Sequence, residues 1–183
     1  MRRLLLLVTA VPALLGVTAC SGNGGGSTAS AESSSTTVKQ GTELRAGDLP
    51  AAVTAIEDVL GGPQHYAEIN ATTDGVNLFV ASTATDELAY FYRSGDAVLD
   101  APDTPDPLSS TPFALDGIDL GIAPSLVQQL QEQFPGSEVV QLALVDVPEQ
   151  GVVWALRSRS AKGGLLNVFF SPAGALLSVE PAS

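Results

Sequence analysis

The sequence predicts an α+β fold in which two tandem repeats, each a helix followed by an antiparallel meander of strands, pack into one domain. Two observations lead to this prediction. Apolar residues at helical spacing precede strand-like segments, and this order occurs twice at an offset of about 75 residues. We expect the first repeat at 43–106 and the second at 107–183, with the Pro- and Asp-rich stretch 100–112 joining them.

Each repeat is expected to begin with a short amphipathic helix. The apolar positions that share one helical face are Leu49, Val53, Ile56 and Leu60 in the first helix and Ile122, Leu126, Leu130 and Phe134 in the second. Asp48 is a suitable N-cap for the first helix. Gly61-Gly62-Pro63 and Pro135-Gly136 predict where the two helices end.

Strand-like segments separated by turn signals follow each helix. We expect strands at 66–72, 76–82, 88–93 and 97–99, and again at 139–147, 152–158, 165–170 and 175–179. Hydrophobic alternation is weak in the first two strands of the second repeat, which predicts burial on both faces. Either the two sheets join or stack around the repeat, or one face remains a binding surface that carries Phe79, Phe91, Trp154 or Phe169.

The amino-terminal residues have the features of a targeting segment. Arg2 and Arg3 precede an apolar run over 4–15, which is shorter than the roughly 20 residues that a transmembrane helix needs. Residues 17–20 read Val-Thr-Ala-Cys and resemble the lipobox of bacterial lipoproteins. The resemblance implies a signal peptide over 1–19 and a lipid-modified (palmitate-bearing) Cys20 that anchors the chain to the outer side of the cell membrane. An ordinary signal peptide also fits, but it would leave Cys20 as an exposed thiol.

Residues 20–42 are rich in Gly, Ser and Thr and contain almost no bulky side chain. Such a segment cannot bury enough surface to offset its chain entropy, so we expect a disordered tether with a span of roughly 25 Å. The Ser/Thr run at 33–37 could instead carry sugars, although a plain tether is the simpler interpretation.

Composition excludes several kinds of chemistry. The net charge is −12, and removal of Arg2 and Arg3 would make the mature chain more acidic, so we expect no nucleic-acid partner. The single cysteine lies at the signal junction, and His65 is the only histidine, which leaves little from which to build a zinc site. No Gly-x-Ser-x-Gly motif is present. We therefore expect neither catalysis nor a cofactor.

The most distinctive polar group is a set of three basic residues, Arg157, Arg159 and Lys162, within one predicted hairpin. They are half of the basic residues left after signal cleavage. Such a group could bind a carboxylate or phosphate of a partner, or it could simply keep the hairpin soluble. With Trp154 and Phe79, these residues form our candidate partner-binding set.

In element order and repeat length, the folded part is similar to PepSY-type domains and to secreted β-lactamase inhibitory proteins. This resemblance implies a binding or inhibitory role. We therefore expect a non-catalytic module of the cell envelope that binds or inhibits a protein. The alternative is a carrier or sensor of a small apolar ligand, such as a lipid, held between sheet and helix.

Overall fold

A computed structural model describes residues 43–93, 98–100 and 104–182. The predicted signal peptide, Cys20 and the tether lie outside these residues. Strands account for 42% of the described residues and helices for 22%, so antiparallel sheet dominates this part of the chain.

Two short helices are present, α1 (Leu49–Leu60) and α2 (Ala123–Gln133), and a single turn of 3₁₀ helix precedes each of them. A proline in the first turn of each helix fits a position whose N–H has no helical partner. Helix α1 ends at Gly61, which takes the left-handed conformation with φ of 83°. No helix among the described residues combines the length and the apolar character needed to cross a membrane.

The strands of the described residues form one antiparallel sheet of nine strands, ordered β4-β3-β2-β1-β6-β7-β8-β9, with β5 paired to β3 at one end. The strands are β1 (Tyr66–Ala71), β2 (Val76–Ala81), β3 (Asp86–Arg93), β4 (Val98–Asp100), β5 (Asp106–Pro107), β6 (Glu138–Val147), β7 (Gly151–Arg159), β8 (Leu165–Phe170) and β9 (Leu176–Pro181).

The α+β prediction of two tandem helix-plus-meander repeats packed into one domain was wrong, because antiparallel strands dominate the described residues and only two short helices accompany them. Strand β1 pairs with β6 from Glu68 opposite Val145 to Ala71 opposite Leu142, so the strands of both halves belong to a single continuous sheet. The pairing joins segments more than 70 residues apart, and hydrophobic periodicity carries no signal for such a contact. The structure is correspondingly a mainly antiparallel β fold with two short helices.

Both helices pack against the same face of the sheet. Their buried side chains join one hydrophobic core with inward-facing residues of β1, β2, β6, β7 and β8. The largest members of this core include Trp154, Tyr66 and Phe170, all fully buried. We call this side the covered face, and its packing holds the central strands in a fixed register.

A segment after β5 crosses one end of the sheet. Ser109 donates from both its backbone N–H and its hydroxyl to Glu87 Oε2, at 3.1 and 3.0 Å. Phe113 then exchanges backbone hydrogen bonds with Tyr66. These contacts satisfy the buried Glu87 carboxylate and attach the crossing segment to β3 and β1.

Candidate functional site: the uncovered face of the sheet

The second face of the sheet points away from the two helices, and we call it the uncovered face. Strand register places alternate side chains on it in rows that run across the strands. One row across the middle of the sheet contains Phe91, Asn77, Asn70, Ala143, Ala155, Phe169 and Ser178.

A shallow hollow of about 310 Å³ lies on the uncovered face over β6 and β7. Its floor is formed by Ala143 and Ala155, which are direct partners across these two strands. The remaining lining residues are Glu68, Gln141, Val145, Leu156, Arg157, Asn167 and Phe169. The hollow exists because two small side chains are flanked by larger ones on the neighbouring strands.

A chain of side-chain hydrogen bonds fixes one wall of the hollow. Asn77 Nδ2 donates to Asn70 Oδ1 at 2.7 Å, and Asn70 Nδ2 donates to Glu68 Oε1 at 2.6 Å. Asn70 is 6% exposed, so its amide is held between its two partners. The Glu68 carboxylate is thereby oriented at the edge of the hollow, and its second oxygen makes no side-chain hydrogen bond among the described residues.

The opposite wall carries a positive charge. Arg157 is exposed and pairs across the strands with Gln141 on one side and Asn167 on the other. In the described part of the chain, no carboxylate lies within ion-pair distance of its guanidinium. The Arg157 guanidinium can therefore donate two parallel hydrogen bonds to an external anion, such as a carboxylate.

The end of the uncovered face near β3 and β4 is occupied by internal contacts. The Arg93 guanidinium lies 5.7 Å from the centre of the Phe91 ring and also pairs with Asp100 at 2.7 Å. The Phe91 ring in turn lies against Gly75. The hollow beside Phe169 lies away from these contacts.

The structure places the predicted binding residues at different locations. Phe79 lies on the uncovered face, opposite Glu68 in register, and Arg157 lines the hollow. Arg159 is at the end of β7, where it pairs with Glu138 at 3.4 Å. Lys162 is exposed in the turn between β7 and β8. The three basic residues do not form one site, and Arg157 alone lines the hollow.

Trp154 does not reach the surface. It is 0% exposed and lies on the covered face, opposite Leu144 and Phe170 in register. Its indole Nε1 has no hydrogen-bond partner among the described residues. In this structure Trp154 contributes to the core and not to a binding surface.

Sequence reasoning missed the polar lining residues Glu68, Gln141 and Asn167, and the Asn70 amide that holds Glu68. Asn70 and Asn167 each lie between two residues of the core cluster or packed against it, so alternation alone would have placed both on the face away from the helices. Register shifts next to Glu68 and Gln141 interrupt this alternation, and only the strand pairing shows that these residues come together.

His65 is exposed and lies just before β1. Within the described ranges, no three side chains of the His, Cys, Asp and Glu types are grouped so that they could hold a metal ion. The hollow thus combines a small apolar floor, an aromatic side and two opposite charges.

Comparisons with protein-family models, with curated proteins and with solved structures found no match.

Proposed function

We propose that this chain is a lipoprotein of the bacterial cell envelope that binds another protein, without catalysis, through the hollow on its uncovered face. Lipid on Cys20 would hold it at the outer side of the cell membrane, and the tether over 20–42 would let the folded part turn toward its partner.

The observation that carries the binding proposal is the combination of Phe169, Arg157 and the alanine floor in one open hollow. Aromatic and arginine side chains contribute most of the binding energy in many protein interfaces. The floor of Ala143 and Ala155 leaves space for a side chain of the partner.

A protein partner is favoured over a small apolar ligand by the packing of the covered face. The space between helices and sheet is filled by fully buried side chains such as Trp154, Phe170 and Leu144. The hollow on the other face has about the minimum volume of a ligand pocket, but it is open to solvent and carries charged groups. These features suit a complementary protein surface better than a lipid.

Affinity capture with defined variants tests the binding proposal. The purified protein is immobilised, envelope proteins are passed over it, and the retained proteins are quantified by mass spectrometry. We expect Phe169→Ala and Arg157→Gln each to reduce retention of one specific protein about tenfold or more. Val59→Ala, at a residue that is 68% exposed on α1, serves as the matched control. Equal retention by all three variants contradicts the proposal.

Metabolic labelling tests the anchoring proposal separately. Cells that express the protein are grown with a labelled fatty acid, and the wild type is compared with Cys20→Ser. We expect label and membrane association only in the wild type. A wild type without label, or a Cys20→Ser protein with the same distribution between fractions, contradicts lipid attachment at this residue.

A further inference from the structure

We infer that the partner presents an extended segment with a basic and an acidic side chain four residues apart and an apolar side chain midway between them. This inference rests on the proposed function and names the chemistry that the hollow selects. The basic side chain binds Glu68, the apolar one covers Ala143 and Ala155 beside Phe169, and the acidic one binds Arg157.

The negative end of the hollow is preorganised. Asn70 donates to Glu68 Oε1 at 2.6 Å and is itself held by Asn77, so the carboxylate does not need to be ordered when a cation arrives. Lysine or arginine on the partner fits this position, since either donates to the second carboxylate oxygen.

The distance between the two charged ends follows from strand register. Glu68 pairs with Val145 and Arg157 pairs with Gln141, so the two ends are four residues apart along β6. At about 3.3 Å per residue this corresponds to roughly 13 Å along the strand direction. Glu68 and Arg157 also lie on either side of β6, which adds roughly 10 Å between their backbones across the strands.

At a spacing of four residues, an extended segment matches this separation and a helix does not. Side chains four residues apart on a strand lie on the same side of it, roughly 13 Å apart, whereas four residues along a helix advance only about 6 Å. The residue midway on the same side of an extended partner then stands above the alanine floor. Long lysine, arginine or glutamate side chains cover the remaining diagonal distance.

Addition of a strand to the exposed edge at β9 is a weaker alternative. Leu177 and Val179 are partly exposed there. However, Pro181 lacks an N–H, and the pairing of β8 with β9 is interrupted by a register shift between Phe169 and Phe170. Prolines and bulges of this kind are typical of sheet edges that do not accept another strand.

Synthetic peptides test the inference. A short, labelled Ser/Thr-rich peptide carries Lys, Leu and Glu in this order, with one residue between each. The purified protein is titrated into it, and binding is followed by fluorescence polarisation. We expect saturable binding that weakens about tenfold with Glu68→Gln or with Arg157→Gln. Arg159→Gln, which removes a nearby guanidinium already paired with Glu138, is the matched control and leaves binding unchanged.

Charge exchange makes the test specific. Arg157→Glu abolishes binding of the original peptide, and replacing the peptide's Glu with Lys restores it to within about threefold of the wild-type pair. Peptides with the same residues at two-residue or three-residue charge spacing bind at least about tenfold more weakly. Absence of peptide binding, equal binding at all spacings, or binding of soluble cell-wall saccharides in its place overturns the inference.

The outcomes separate this inference from the proposed function. If capture of the native partner depends on Phe169 and Arg157 but is unchanged by Glu68→Gln, the binding function stands and the extended charged segment is wrong. If capture depends on none of the three residues, both are wrong.

Discussion

Asn70 lies within the sheet as the middle member of a hydrogen-bonded series, donating to Glu68 at 2.6 Å and accepting from Asn77 at 2.7 Å. Because Asn70 is almost completely buried, its amide has little access to water as a replacement partner. This pair of contacts connects the stability of the uncovered face to the orientation of the Glu68 carboxylate.

Replacing Asn70 with aspartate should make the stability of the protein strongly dependent on pH. Two carboxylates would then lie within hydrogen-bond distance, and both cannot be ionised without cost. One of them therefore has a raised pKa in the folded state, so the variant is relatively more stable when acid protonates it and loses stability as pH rises. We expect Asn70→Asp to lose roughly 1–3 kcal/mol at pH 7 and to recover part of this near pH 4.

Urea unfolding at both pH values measures this effect, with Asn70→Ala as the uncharged control. Asn70→Ala also removes the amide but adds no carboxylate, so its difference from the wild type should change much less with pH than that of Asn70→Asp. The same pH dependence in the two variants would contradict close contact between residue 70 and the Glu68 carboxylate.

Tyr66 connects β1 to the end of α1 and should control alkaline stability. Its hydroxyl donates to Glu57 Oε1 at 3.3 Å. Burial raises the pKa of the Tyr66 hydroxyl well above its ordinary value near 10, and the nearby Glu57 carboxylate adds to this. Since the folded state holds the proton more tightly, this contribution to the free energy of unfolding is fully present below about pH 10 and is lost as pH rises beyond it.

The measurement is the urea midpoint of the wild type and of Tyr66→Phe between pH 8 and pH 11. We expect the midpoint of the wild type to fall more steeply above pH 10 than that of the variant. Parallel curves for the two proteins would show that Tyr66 does not govern this range.

A side chain at position 75, in place of Gly75, should lower the free energy of unfolding. A Cβ at this position would overlap with the backbone carbonyl oxygen of Tyr92 and lie 2.7 Å from Phe91 Cζ, both on the neighbouring strand. The backbone of β3 would have to move, so we expect Gly75→Ala to cost about 1–3 kcal/mol. Gly47→Ala, where the added carbon meets nothing within 4 Å, is the control and should be nearly neutral. Equal denaturation midpoints for the two variants would refute this packing.

Trp154 offers a direct test of which face is covered. It is the only tryptophan in the chain and is completely buried, so its emission should be blue-shifted and poorly quenched by iodide. Unfolding in urea should shift the emission to the red and restore quenching. A native protein whose emission is fully quenched by iodide would place Trp154 at the surface, contrary to the structure.

Much of the local structure could be predicted from residue patterns. The apolar spacing in the first helix identified Val53 and Ile56, both buried in α1, although Leu60 at the end of that helix is 40% exposed. The segment expected at 76–82 corresponds to β2 (Val76–Ala81). Local periodicity suffices here because each pattern depends on one neighbouring layer only.

The overall fold class and part of the site could not be predicted, because both depend on long-range register. The pairing of Glu68 with Val145 joins the halves of the sheet, and nothing in either segment encodes it locally. In the central strand β7, Val153 and Trp154 are adjacent and both buried, so their polarity did not reveal which of them faces the helices. Register with Phe170 places Trp154 in the core and leaves Arg157 and Ala155 on the other face.

Site-specific photo-crosslinking in living cells tests most directly whether the uncovered face binds a protein. A photoreactive amino acid is placed at Phe169 in the hollow, or at Val59 on the opposite side of the sheet, and adducts are identified after irradiation. We expect one adduct of defined mass from position 169 that disappears when Arg157→Gln is added, and no such adduct from position 59. The same adduct from both positions, or adducts from position 59 alone, would contradict binding through the uncovered face.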